Sequence, residues 1–120
     1  YTLVLATNPI FPRAAVETRL RWVGLTAEDF ACITTYENSR RCKPNPDYYR
    51  DILQQINVQP SDCLMIGNNP VDDMSAAQAG LNVFLVTDCL ENPKGLPIAP
   101  YPNGTFDALR QRLENAPRIA

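Results

Sequence analysis

The polar residues of this chain that could do chemistry fall into three short groups. Thr7 and Asn8 end an apolar run, and Lys43 stands in a Lys43-Pro44-Asn45-Pro46 stretch. Two acids, Asp72 and Asp73, follow Gly67-Asn68-Asn69-Pro70-Val71. The chain contains no histidine, so neither a Ser-His-Asp nor a Cys-His triad can be built from it. Any acid, base or nucleophile must therefore be a carboxylate, a lysine or a hydroxyl. The cysteines Cys32, Cys42, Cys63 and Cys89 form no C-x-x-C pair, and zinc-ligand spacing is absent. Three of the four lie in or beside apolar runs, where a reduced cysteine behaves as a small hydrophobe. That usage leads us to expect a reducing, cytoplasmic compartment.

Each group also has an ordinary reading. Thr7 could be a β-branched strand end, Lys43 a solvated loop lysine, and Asp72 and Asp73 acids that favour a helix N-terminus. What separates the readings is where the elements put these residues.

Leu3-Val4-Leu5-Ala6 is an apolar run that reads as a buried parallel strand over residues 2–7, ending at Asn8-Pro9. Residues 12–23 are helical in pattern, with Val16, Leu20 and Val23 on one stripe and Gly24 as the stop. Residues 31–36 read as a second strand, rich in β-branched side chains. A polar loop over 37–45 leads to a second helix near Pro46, with Tyr49, Ile52, Leu53 and Ile56 as its apolar face. Residues 63–66 form a third buried strand, followed by a helix from about Asp72 to Gly80 and a fourth strand over 82–86. Residues 87–104 read as an irregular excursion; Thr105 then caps a last helix with Phe106, Leu109 and Leu113 on one side. This alternation of strand and helix signifies an α/β fold with a mostly parallel sheet. In such sheets ligands bind outside the carboxyl ends of the strands, which is where the three polar groups fall.

These residues, in this order, resemble the haloacid dehalogenase-like hydrolase superfamily. Its second motif, a hydrophobic strand ending in Thr or Ser, is matched by Leu3-Val4-Leu5-Ala6-Thr7. The third, a lysine often followed by proline at a helix start, is matched by Lys43-Pro44-Asn45-Pro46-Asp47-Tyr48-Tyr49. The fourth, an apolar strand, a glycine, spaced acids and a helix ending in Ala-Gly, is matched from Met65-Ile66-Gly67 to Ala79-Gly80-Leu81. The resemblance implies a three-layer, Rossmann-like parallel sheet with helices on both faces. It also implies a phosphatase that acts on a small phosphorylated metabolite through an aspartyl-phosphate, with Mg2+ as cofactor.

In that reading Thr7 and Lys43 are catalytic, Thr7, Asn8 and Lys43 bind substrate, and Asn68, Asp72 and Asp73 hold the metal. A phosphoryl group in transfer spreads negative charge over three oxygens, so positioning and charge stabilisation dominate. A fixed ammonium is worth about 4 kcal/mol per contact at ~4 Å and an effective dielectric near 20. Magnesium is a hard cation that prefers oxygen ligands. The fourth motif departs from the usual pattern, because Asn68 stands where an aspartate commonly follows the glycine. Counting from Gly67 favours Asp73 as the later acid, and counting back from Ala79-Gly80 favours Asp72.

The superfamily's first motif, an Asp-x-Asp that supplies the nucleophile, occurs nowhere in the chain. The chain also opens inside a strand. The expectation is therefore that residues 1–120 are the C-terminal part of one core domain, incomplete because the first strand and a cap are absent. In the family that strand lies between those ending at Thr7 and Ile66, whose edges would otherwise lack partners. The missing pairing would come from the absent segment or from a second copy in a homo-oligomer.

Composition is that of an ordinary soluble globular protein, with 45% hydrophobic and 20% charged residues. A net charge of −2 gives no reason to expect nucleic acid, and no apolar run suffices to span a membrane. Three other readings compete with the phosphatase. A dehalogenase needs no metal and tends to lose the acidic loop kept here. A non-catalytic binding or scaffold domain would fit the absent nucleophile and Asn68. A phosphoreceiver-like domain needs a strand ending in Asp ahead of Thr7, and there is none.

Overall fold

The computed structural model describes residues 1–116. The chain divides into two compact units, Tyr1–Val58 and Gln59–Ala120.

In the first unit β1 (Val4–Leu5) and β2 (Cys32–Ile33) pair in parallel, with Val4 opposite Cys32 and Leu5 opposite Ile33. A parallel pair needs a crossover, which α1 (Arg13–Trp22) provides. Val16 and Leu20 of α1 pack on Ile33, with Leu5, Ala27 and Phe30 around them. Val23, expected on that stripe, is 71% exposed. The helix ends one residue earlier, and Gly24 turns the chain away with a left-handed φ of +78°. Helix α2 (Pro46–Ile56) begins with Pro46 in its first turn and the Asn45 side chain accepting from Asp47 N–H at 2.9 Å. It buries Ile52, Leu53 and Tyr49 as expected, and Tyr48 as well.

The second unit holds β3 (Leu64–Gly67), β4 (Asn82–Val86), β5 (Asn103–Gly104) and α3 (Phe106–Asn115). Its sheet is parallel in the order β3-β4-β5. β5 is a short strand at the end of the segment expected to be wholly irregular, drawn onto β4 by Leu85 N–H to Pro102 O and Thr87 N–H to Gly104 O, each 2.8 Å. The Thr105 side chain caps α3 by accepting from Ala108 N–H. Leu109 then packs on Phe84 and Val86, whereas Phe106, at the first helical position, is exposed.

Two expectations change in kind. Their apolar runs predict that β1 and β3 are buried, yet β1 is half-buried and Ile66 of β3 is 39% exposed. Among the described residues β1 pairs with β2 alone and β3 with β4 alone, so each keeps an open edge. The helix expected from Asp72 is instead a 3₁₀ helix, Met74–Ala79. The chain already turns at Asp73, whose N–H donates to Asn69 O at 3.0 Å; the 3₁₀ helix follows from Met74 and stops at Gly80, where φ is +91°. Six residues are left, and they wind tightly.

All four cysteines are free. Cys32 is buried and Cys63 partly so, and burial pushes both thiols up, with Asp62 adding to the effect at Cys63. Cys42 and Cys89 are exposed. No helix among the described residues is long and apolar enough to cross a membrane.

The centre of the second core is β4, where Leu85 is fully buried. Leu85→Ala is expected to cost about 3 kcal/mol, the lost transfer energy plus the cavity left behind. Urea denaturation would show this, and a loss below about 1 kcal/mol would mean that β4 is not packed as described.

Candidate active site

The first unit brings Thr7, Asn8 and Lys43 together. Thr7 and Asn8 lie just past the carboxyl end of β1, and Lys43 lies in the loop before α2. The Lys43 N–H donates to Asn8 Oδ1 at 3.1 Å, tying residues 35 apart in sequence. The Lys43–Pro44 bond is cis. The half-buried Lys43 side chain reaches over Tyr48, with Nζ 6.0 Å from the ring centroid, within cation–π range.

The Thr7 main chain is held from two sides. Its carbonyl accepts from Tyr48 Oη at 2.7 Å and from Thr34 Oγ1 at 2.6 Å, and those two hydroxyls lie 2.8 Å apart. The Thr7 hydroxyl donates to Thr34 O at 3.2 Å, which is long for an O–H···O bond and easily given up. Neither Thr34 nor Tyr48 stands out in the sequence as a site residue. For Thr34 the signal is its place just past β2, at the same kind of strand end as Thr7. Tyr48 falls inside the Lys43 motif but one residue before the expected apolar stripe, so nothing local gives it a role.

The loop leading to Lys43 is basic. Arg40 and Arg41 each approach Asp51 at 3.4 Å, and Arg50 contacts Asp47 at 2.7 Å. The hydrogen bond from Arg50 holds the Asp47 carboxyl below its usual range, and the charge of Arg41 adds to this. These pairs are exposed and contribute little to stability. A groove of about 280 Å³ runs beside them, lined in part by Thr34, Asn38, Arg41, Tyr48 and Asp51.

The second unit carries Asn68, Asp72 and Asp73 on the loop after β3. Asp73 is 6% exposed, and its Oδ2 accepts from the N–H groups of Asn68 at 2.9 Å and Asn69 at 3.0 Å. Gly67 is required by this arrangement, because a Cβ there would overlap the Asp73 carboxylate. Asn69 Oδ1 accepts from the N–H groups of Val71 and Asp72, each 2.9 Å, which rounds off the loop. Asn68 donates its side-chain N–H to Cys89 O at 2.9 Å, which turns its Oδ1 into the remaining acceptor. Asp72 is half-buried.

Among the described residues no three Asp, Glu, Cys or His side chains converge closely enough to enclose a metal. Magnesium is commonly held by one or two carboxylates, with waters and substrate phosphate completing its shell. An Asp72 carboxylate and an Asn68 carbonyl fit that requirement in chemistry. In Asp73, the other acid expected at the metal, Oδ2 is engaged by the loop N–H groups.

The sequence pattern of the haloacid dehalogenase-like hydrolase family matches residues 1–80. The chain is 30% identical over 115 residues to a phosphoglycolate phosphatase of Vibrio vulnificus, covering 95% of this chain and 48% of that protein. Among solved structures it resembles a "predicted phosphoglycolate phosphatase" from Haemophilus somnus, with a TM-score of 0.76 and 22% identity over 94% of this chain and 50% of that one. A HAD phosphatase from Thermococcus onnurineus gives 0.73 and 19%, over 99% of this chain and 53% of that one. At such identities the two structures show likeness of fold. The chain spans about half the length of the phosphoglycolate phosphatase it matches.

Proposed function

Because the chain belongs to the haloacid dehalogenase-like hydrolase family, we propose that it is the C-terminal part of a magnesium-dependent phosphatase acting on a small phosphorylated metabolite. The observation that carries this reading is the joining of Thr7, Asn8 and Lys43 at one strand end, by the bond from Lys43 N–H to Asn8 Oδ1. A hydroxyl donor and a fixed cation beside it are what a transferring phosphoryl group needs.

Thr7 would release Thr34 O and donate its hydroxyl to a phosphoryl oxygen. Lys43 would place its charge against the same group, its backbone anchored by Asn8. Asp72 and Asn68, on the second unit's own loop, would hold magnesium, a cation that when bound neutralises phosphate charge. Asp73 would keep the loop in shape. The nucleophile, an aspartate forming an aspartyl-phosphate, would come from a preceding Asp-x-Asp strand outside these residues. Among the described residues β1 and β3 each keep an open edge to which a further strand could pair. The free cysteines support a reducing compartment.

The test is phosphate release by the full-length protein from a panel of phosphoesters, with Mg2+ and with EDTA. Phosphoglycolate heads the panel because of the Vibrio relative. Mg2+-dependent release is expected. A folded protein that releases no phosphate from any of them would sink the phosphatase reading and leave the second one, a non-catalytic domain. Asn68 in place of an acid is the observation that favours that second reading.

A further inference from the structure

The geometry points to Tyr48 as a positioning residue for the phosphate-facing end of β1, acting on Thr7 through its hydroxyl and on Lys43 through its ring. Its consequence for rate rests on the phosphatase reading; its consequence for geometry does not.

Tyr48 is 2% exposed and stacks edge-on with Tyr49, the ring centroids 4.9 Å apart. Packing alone would be served by phenylalanine, so the hydroxyl is the informative group. A buried tyrosine hydroxyl needs a polar partner, and this one meets the carbonyl of Thr7, the residue whose side chain would face phosphate. The peptide unit is planar and trans, so holding the Thr7 carbonyl also sets the direction of the Asn8 N–H, on the opposite side of the same plane. Tyr48 thereby orients a backbone donor as well as the strand end. Its ring lies under the ammonium of Lys43, which restricts where that charge can sit.

The Thr7 carbonyl, the Thr34 hydroxyl and the Tyr48 hydroxyl form a triangle of contacts at 2.6, 2.7 and 2.8 Å. Two hydroxyl hydrogens serve these three contacts. Removing either hydroxyl leaves the carbonyl one donor, and removing both leaves it none. The two residues should therefore back each other up.

The experiment compares Tyr48→Phe, Thr34→Val, the double variant and Tyr48→Leu in the full-length protein. It reads the Thr7 carbonyl 13C shift, the Lys43 ε-methylene proton shifts, the melting temperature, and kcat and KM for p-nitrophenyl phosphate with Mg2+. Tyr48→Phe is expected to move the Thr7 carbonyl upfield and lower kcat by about tenfold, with KM within about twofold. The double variant should lose more than the product of the singles. Tyr48→Leu, which also removes the ring, should shift the Lys43 methylene protons where Tyr48→Phe does not.

A role in packing alone would lower the melting temperature and leave kcat per folded molecule unchanged. A wild-type Thr7 carbonyl shift in Tyr48→Phe, or wild-type kcat from its folded form, overturns the proposal. If the wild-type protein hydrolyses no phosphoester, the phosphatase reading fails. The Thr7 and Lys43 resonances then still decide whether Tyr48 positions them.

Discussion

Replacing Lys43 with alanine in the full-length protein is expected to lower kcat/KM for a phosphoester about a thousandfold, with the melting temperature within about 4 °C of wild type. The size follows from one fixed charge on the reacting group, about 4 kcal/mol at an effective dielectric near 20. The fold should survive because what ties Lys43 to Asn8 is its backbone N–H, which alanine keeps. The variant gives up, among its contacts, that of a half-buried side chain with the Tyr48 ring, worth about 0.5–1 kcal/mol. Lys43→Arg restores the charge but not its compact shape, so partial recovery should follow. Steady-state kinetics beside thermal melts would check this, and unchanged turnover in Lys43→Ala would remove Lys43 from the site.

The second large effect separates the two neighbouring acids. Asp73→Ala is expected to cost about 2–4 kcal/mol of stability, because two loop N–H groups lose a charged acceptor that is itself buried. Asp72→Ala should stay within about 1 kcal/mol, as is usual for a partly exposed side chain, and should instead raise the Mg2+ needed for half-maximal activity about tenfold. Urea denaturation and Mg2+ titration of the two variants give a crossed pattern if this is right. Full stability in Asp73→Ala would show that the loop does not depend on its carboxylate. An unchanged Mg2+ requirement in Asp72→Ala would take that residue out of the metal site.

The order of elements is legible in the sequence because its signals are local. Gly24 and Gly80 end their helices with positive φ, Asn45-Pro46 starts α2, and Thr105 caps α3. A period of 3.6 in residues 46–56 and an apolar run in 82–86 are visible in any window that contains them. Thr7, Asn8 and Lys43 are likewise marked by their places after a strand and before a helix. How they touch is not a local matter. The contact between Asn8 and Lys43 spans 35 positions, and that between Tyr48 and Thr7 spans 41.

The same limit explains the misplaced boundaries. Val23 continues a helical stripe in sequence but lies past the last helical residue, Trp22, so burial there depends on what the helix packs against. The sequence leaves Asp72 and Asp73 interchangeable, since each can be reached by counting from one end of the motif. Only folding turns one carboxylate back over Gly67 onto two amides and leaves its neighbour half-buried on the loop. Residue type and spacing thus determined which chemistry this chain could support. Which hydroxyl, amide and carboxylate meet, and which are spent on holding the backbone, was decided by tertiary contacts, because hydrogen bonds act over about 3 Å in space whatever the separation in sequence.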